Sequence, residues 1–91
     1  NIANNFIQEA KMGTYDAVKL RIMQLCKEKN MTINKLATES GVPPSSVKNI
    51  LYGKSQNPGI VTLKMICDGF EISLPDFFNC DIFFKLEQEI K

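Results

Sequence analysis

The chain has 91 residues, of which 44% are hydrophobic and 23% are charged, and its formal net charge is +1. This length suits one domain with a modest core. No apolar run approaches the roughly 20 residues that a membrane-spanning helix needs. No signal-peptide pattern is visible either, so we expect a cytoplasmic protein without a membrane partner.

The three cysteines, Cys26, Cys67 and Cys80, are widely spaced and form no CxxC pair, and the chain contains no histidine. This composition argues against a zinc site of the usual kind. The carboxylates are scattered, and neither a nucleophile elbow nor a phosphate loop is present, which argues against an enzyme. We therefore expect no metal, no cofactor and no small-molecule ligand.

The small net charge hides an asymmetry along the chain. Residues 15–64 carry eight Lys or Arg against three Asp or Glu, a net +5, whereas residues 65–91 carry two against six, a net −4. The first part suits a polyanionic partner and the second avoids one. Two ordinary solvated faces would give the same charges, so the asymmetry alone does not establish nucleic-acid binding.

The N-terminal third predicts a polar extension followed by one long helix. Residues 1–14 are Asn-rich, which predicts a weakly ordered extension ahead of a helical domain over residues 15–78. Apolar residues recur at helical spacing from Val18 to Leu25 and predict helix 1 over about residues 15–29. Thr14 is its expected N-cap, and Asn30 suits the left-handed conformation that ends it.

Two short helices follow, joined by a tight turn. Thr32 is the expected cap of helix 2, over about residues 33–40, and Gly41 ends it where a positive φ is needed. Proline is favoured at the first position of a helix because its missing N–H would be unpaired there anyway. Helix 3 is therefore predicted from Pro44 to about Tyr52, with Gly53 closing it.

The last third predicts two further helices and an ambiguous tail. Helix 4 is expected over about residues 61–70, and Ser73 is the expected cap of a short helix 5 that turns Phe77 and Phe78 inward. Apolar residues on one face of residues 81–91 allow a sixth helix in the tail, residues 79–91. The fold class expected is all-α, a compact bundle of five helices with this optional sixth.

The segment from Met31 to Gly53 resembles the helix-turn-helix of the phage-repressor and Cro class of regulators, the XRE family with its lambda-repressor-like fold. The family pattern has a Thr cap, Leu-Ala in helix 2, Gly-Val in the turn, an aliphatic pair in helix 3 and a closing Gly. The sequence supplies these in register as Thr32, Leu36-Ala37, Gly41-Val42, Val47, Ile50 and Gly53. The resemblance extends over about residues 15–78, because apolar positions of helices 1, 4 and 5 also fit.

The resemblance implies a transcriptional regulator, a repressor by preference, that binds double-stranded DNA with helix 3 in the major groove. Residues implied to face the bases are Pro44, Ser45, Lys48 and Asn49. Residues implied to contact the DNA backbone are Arg21, Thr32, Ile33, Asn34, Lys35, Ser46, Lys54, Ser55, Gln56 and Asn57. Asn49 can pair bidentately with adenine, whereas phosphate contacts position the protein without reading sequence.

Two positions depart from the family pattern. Family members often carry Gln where this chain has Ile33 and Pro44, and neither side chain is a hydrogen-bond donor. We therefore expect base discrimination to fall mainly on Ser45, Lys48 and Asn49, with Pro44 offering at most an apolar contact to a thymine methyl group.

A homodimer is expected, because the apolar residues of the tail exceed what one small core absorbs. The predicted dimer contact comprises Phe83, Phe84, Leu86 and Ile90. The alternative function is an antitoxin-like or other protein-interaction module of the same fold, with weak or no DNA binding. Salt-dependent DNA affinity distinguishes the two.

Overall fold

The computed structural model describes residues 11–90. The expected weakly ordered extension lies mostly outside this range. The described helices are α1 (Thr14–Glu28), α2 (Ile33–Ser40), α3 (Pro44–Leu51), α4 (Ile60–Phe70) and α5 (Leu74–Phe78), followed by a single 3₁₀ turn (Asp81–Phe83). The five-helix architecture is confirmed, and the predicted boundaries agree to within about one residue.

Local chemistry explains where the helices begin and end. The Thr32 hydroxyl accepts the Lys35 N–H at 3.0 Å, and the Ser73 hydroxyl accepts the Asp76 N–H at 3.1 Å, so both predicted caps are confirmed. Gly41 adopts the left-handed conformation (φ 69°) that ends α2. The predicted cap of α1 is wrong: Gly13 occupies the N-cap position, and Thr14 is the first helical residue.

One apolar core holds the five helices together. Its largest fully buried side chains come from every helix and include Ile22, Leu36, Val47, Phe70 and Phe77. The backbones of α2 and α4 approach closely, since a Cβ on Gly69 would lie 2.2 Å from Ser40 Oγ. Only glycine allows this approach, and the approach sets α2 firmly on the core.

Two polar side chains of α1 fasten it to other helices. The Tyr15 hydroxyl donates to the carbonyl of Ile50, near the end of α3. The Arg21 guanidinium donates to the carbonyls of Phe77 at 2.7 Å and Asp76 at 2.8 Å, near the end of α5. Carbonyls in the last turn of a helix lack intrahelical partners, so these contacts satisfy the Ile50 and Phe77 carbonyls, whereas the Asp76 carbonyl also accepts the N–H of Asn79 at 3.3 Å.

The sixth helix allowed by the tail pattern is absent from the described residues. After the 3₁₀ turn, Leu86 instead forms an isolated parallel bridge with Met12, and the Glu87 N–H donates to the Met12 carbonyl at 2.9 Å. Phe83 packs against Phe77 and Phe78, with ring centroids 6.0 Å and 4.9 Å away. Contacts with the segment before α1 and with this aromatic cluster thus replace helical hydrogen bonding.

Candidate nucleic-acid interface

The outward face of α3 carries all four residues predicted to face the bases. Pro44, Ser45, Lys48 and Asn49 are exposed, while Val47, Ile50 and Leu51 of the same helix are buried. At about 100° per residue, the four exposed side chains occupy an arc of about 140°. The helix therefore separates a packed face from a free face rich in hydrogen-bonding groups.

The first turn of α3 is stabilised by a backbone hydrogen bond and not by a side-chain cap. Pro43 is the N-cap and Pro44 the first helical residue, and no side chain caps the helix. The carbonyl of Pro43 accepts the N–H of Ser46 at 2.9 Å. The fixed φ of proline suits this position and sets the direction of the helix.

A polar concavity joins α3 to the loop that follows it. Asn49, Ser46, Ser55 and Asn57 line this cavity of about 200 Å³ together with residues at the start of α4. The N–H of Ser55 donates to the carbonyl of Asn49 at 2.9 Å, which folds the loop back against the helix. The structure thus brings together one residue predicted to read bases and three predicted to contact the backbone of the DNA.

The remaining predicted residues of this loop are exposed. Lys54 and Gln56 are open to solvent, and the Gln56 side-chain amide donates to the carbonyl of Gly53 at 3.1 Å. Gly53 has a positive φ of 92°, which turns the chain away from α3. None of the ion pairs among residues 11–90 includes Lys54 or Lys48.

The N-terminus of α2 presents backbone donors. The Lys35 N–H is taken by the Thr32 cap, whereas the N–H groups of Ile33 and Asn34 have no hydrogen-bond partner among the described residues. Such groups at a helix start attract anions. The Lys35 ammonium lies 3.5 Å from Glu39, an exposed pair one turn apart that a stronger anion can displace.

Arg21 has a structural contact that sequence reasoning missed. It was expected to contact the DNA backbone, but its guanidinium donates to two carbonyls of α5 and joins that helix to α1. This contact could not be predicted from local sequence, because Asp76 and Phe77 lie 55 and 56 residues after Arg21. We leave Arg21 out of the candidate interface.

Tyr52 was also missed as a surface residue. From the sequence, Tyr52 was predicted only as the end of helix 3, yet its side chain is 70% exposed. It stands four residues after Lys48, so it extends the outward face of α3 towards the helix end. The spacing of four residues between Lys48 and Tyr52 was the feature of the sequence that could have indicated this exposed position.

Tyr52 also borders an apolar groove between α1, α2 and the end of α3. The groove has a volume of about 470 Å³ and is lined by Lys19, Met23, Cys26, Met31, Ile33, Leu51 and Tyr52. Burial raises the pKa of the Cys26 thiol and is also the main cause that raises the pKa of Cys67. Both thiols therefore stay protonated at neutral pH and serve as apolar packing groups.

The residues expected at a dimer contact fall into two groups. Phe83 packs against the core of its own chain, and Leu86 is half-buried beside Met12. Phe84 and Ile90 are exposed. Two further exposed apolar residues, Ile60 and Val61, begin α4 and were not anticipated.

These features define the class of protein, which is a helix-turn-helix domain. The second helix of its motif, α3, has an exposed polar face, and hydrogen-bond donors at the start of α2 and in the loop after α3 flank it. Among the described residues, no helix is long and apolar enough to cross a membrane, and no group of three or more acidic, Cys or His side chains could hold a metal ion. Residues 21–81 match the family model described as the Cro/C1-type HTH DNA-binding domain. The chain belongs to this family.

Individual relatives agree with this assignment. The chain is 37% identical over 62 residues to the HTH-type transcriptional regulator SlrR of Bacillus subtilis (strain 168), a match that covers 67% of this chain and 41% of that protein. The fold is similar to prophage Lp1 protein 11, with a TM-score of 0.68, 33% identity, and coverage of 76% of this chain and 91% of that one. It is also similar to the restriction-modification controller protein C.Esp1396I, with a TM-score of 0.68, 27% identity, and coverage of 82% and 95%.

Proposed function

We propose that this chain is the sequence-specific DNA-binding domain of a transcriptional regulator, and that α3 enters the major groove. The observation that carries the proposal is the exposed arc of α3, where Ser45, Lys48 and Asn49 stand free while the opposite face is buried. An α-helix fits the major groove, which is about 12 Å wide. Family membership and the regulators among the relatives support the same function.

Within this proposal, base reading and positioning fall to different residues. Asn49 accepts and donates at adenine, Lys48 and Ser45 reach base acceptors, and Pro44 offers an apolar contact. Phosphates are held by the free N–H groups at the start of α2 and by Lys35, Ser46 and Lys54 to Asn57. The Tyr52 hydroxyl is an additional phosphate donor, on the grounds of its exposure at the end of α3.

We also propose that a homodimer binds the DNA. One helix with three polar reading side chains specifies a short half-site, and two copies about 34 Å apart read two successive turns of the groove. Ile60, Val61 and Ile90 supply exposed apolar surface for the dimer contact. Glu89, the neighbour of Ile90, lines a cavity with Pro58 and Leu63, which supports placing the end of the tail beside the start of α4.

The dimer contact is tested with single charged substitutions. Val61→Glu places a carboxylate in the first turn of α4, where the helix dipole tolerates it, so the fold should persist. We expect sedimentation equilibrium to show weaker self-association for Val61→Glu and Ile90→Glu. Met23→Glu is the matched control, because Met23 is also exposed but lies on α1. Self-association unchanged in both tail and α4 variants would contradict this contact.

The function itself is tested by selecting bound sites from random DNA and measuring their affinity. We expect a recurrent, two-fold symmetric site whose affinity falls by about 10³–10⁵ between 50 and 200 mM salt, as for a dimer with 6–10 phosphate contacts. Placing the selected site over a promoter should then lower reporter expression, as a repressor does. No enriched site and no binding at low salt would favour the protein-interaction module instead.

A further inference from the structure

The tail has a defined course past the start of α1. Leu86 is half-buried and paired with Met12, and the Glu87 N–H donates to the Met12 carbonyl at 2.9 Å. Glu89 follows three residues after Leu86, so it lies within about 10 Å of that anchor along the chain. The segment that carries Glu87 and Glu89 is thereby held near the start of α1.

Glu89 lies beside the loop that is proposed to contact the DNA backbone. It lines a cavity of about 540 Å³ together with Thr14, Tyr15, Gln56 and Asn57. The ion pairs among the described residues join Lys19 to Asp16, Lys35 to Glu39 and Lys64 to Asp68, and none includes Glu89. Within the part of the chain that the structure describes, its carboxylate is therefore not neutralised by a cation.

We infer that Glu89 is a negative determinant of DNA affinity, whose carboxylate repels the phosphates that approach Gln56 and Asn57. The inference rests on the proposed DNA binding and adds a residue that opposes it. A cavity of this volume is about 10 Å across, which is about one Debye length at 0.1 M salt. Repulsion over such a distance persists at low salt and fades as salt is raised.

The consequence is a reduced affinity for each half-site. In a dimer the effect acts twice, so the loss of affinity for the full site is the square of the loss for one subunit. The repulsion falls on every sequence alike, because it acts on phosphates rather than on bases.

The test measures binding to a random-sequence duplex by fluorescence anisotropy, using the full chain at about 50 mM and about 300 mM salt. We expect Glu89→Gln to bind about two- to five-fold more tightly at the lower salt, with the gain shrinking at the higher salt. Glu89→Lys should gain more, and Glu89→Asp should match the unaltered chain. Glu71→Gln is the matched control, since Glu71 is exposed and follows the last residue of α4, at the opposite end of that helix from the loop that contains Gln56 and Asn57.

Several outcomes would overturn the inference. Equal affinities of the Glu89→Gln variant and the unaltered chain would do so, and so would an equal gain for Glu71→Gln, which would reflect net charge alone. Sedimentation equilibrium of each variant measures its self-association. If stronger self-association accounts for the whole gain in DNA affinity, the Glu89 carboxylate acts at the dimer contact instead. If the unaltered chain binds no DNA even at low salt, both the proposed DNA binding and the role of Glu89 fail. If the unaltered chain binds DNA but Glu89→Gln does not change its affinity, only the role of Glu89 fails.

Discussion

The hydroxyl of Tyr15, in the first turn of α1, donates its hydrogen bond to the carbonyl of Ile50, in the last turn of α3. This contact links the first helix of the domain to the helix proposed to enter the groove. The Ile50 side chain is buried, about 100° around α3 from the exposed Asn49. The contact therefore braces α3 from its core side.

Tyr15→Phe tests this brace. The substitution keeps the ring and removes one donor, so we expect unfolding free energy to fall by about 1 kcal/mol, as for a typical internal hydrogen bond. Urea unfolding followed by circular dichroism measures the change. Tyr52→Phe is the control, because the Tyr52 side chain is 70% exposed and should leave stability unaltered. Equal stability of the Tyr15 variant and the unaltered chain would deny the brace any energetic role.

Gly69→Ala tests the close approach of α2 and α4. Alanine is the better helix former by about 1 kcal/mol. Its Cβ, however, would lie 2.2 Å from Ser40 Oγ and 3.0 Å from the Ser40 backbone nitrogen, so α2 must move. We expect a net loss of about 1–3 kcal/mol, as for overpacked cores. Thermal unfolding measures it.

Gly59→Ala is the control for that substitution, because nothing lies within 4 Å of a Cβ there. Ser40→Ala is informative as well. The Ser40 hydroxyl is buried without a hydrogen-bond partner among the described residues, so its removal should be neutral or stabilising. A Gly69→Ala variant at least as stable as the unaltered chain would mean that the helices separate without cost.

Arg21 and Lys48 should separate stability from DNA affinity. Arg21→Ala removes two charge-assisted hydrogen bonds to the end of α5, and we expect a loss of about 2 kcal/mol in unfolding free energy. Lys48→Ala, on the exposed face of α3, should change stability by no more than about 0.5 kcal/mol and weaken DNA binding. Urea unfolding and DNA titration are measured for both variants. An Arg21→Ala variant with normal stability but no DNA binding would show that Arg21 belongs to the DNA interface.

Asn49 and Lys54 should separate base reading from positioning. Asn49→Ala should relax sequence preference, costing about 1–3 kcal/mol on the selected site and little on random DNA. Lys54→Ala should weaken binding to all sequences alike and reduce the slope of log affinity against log salt by about one per subunit. Titrations of both variants on both DNAs decide the matter. Identical behaviour of the two variants would refute the division of roles.

Local signals predicted the helix framework well. Several helix ends depend on only one or two neighbouring residues and were therefore predictable from the sequence. They are the Thr32 and Ser73 caps, the left-handed Gly41 and the helix start at Pro44. The same holds for the exposed arc of α3, which follows from helical spacing alone. Placement of the face that carries Asn49 was thus predictable.

Features that depend on distant partners were not predictable in this way. The apolar spacing of the tail fits a helix, but pairing of Leu86 with Met12 and packing of Phe83 on Phe77 outweigh that local preference. Basic charge at Arg21 suggested a phosphate contact, yet its guanidinium finds carbonyls 55 and 56 residues away. Periodicity carries no information about such pairings.

The division of α3 into a packed face and a free face has an evolutionary consequence. Val47, Ile50 and Leu51 secure the helix, whereas the side chains of Ser45, Lys48 and Asn49 are exposed and lie outside the core. Exchanges at exposed positions typically alter stability by no more than about 0.5 kcal/mol. Mutation can therefore exchange the side chains proposed to read DNA on an unchanged scaffold, so a duplicated copy can acquire a separate target site without first losing its fold.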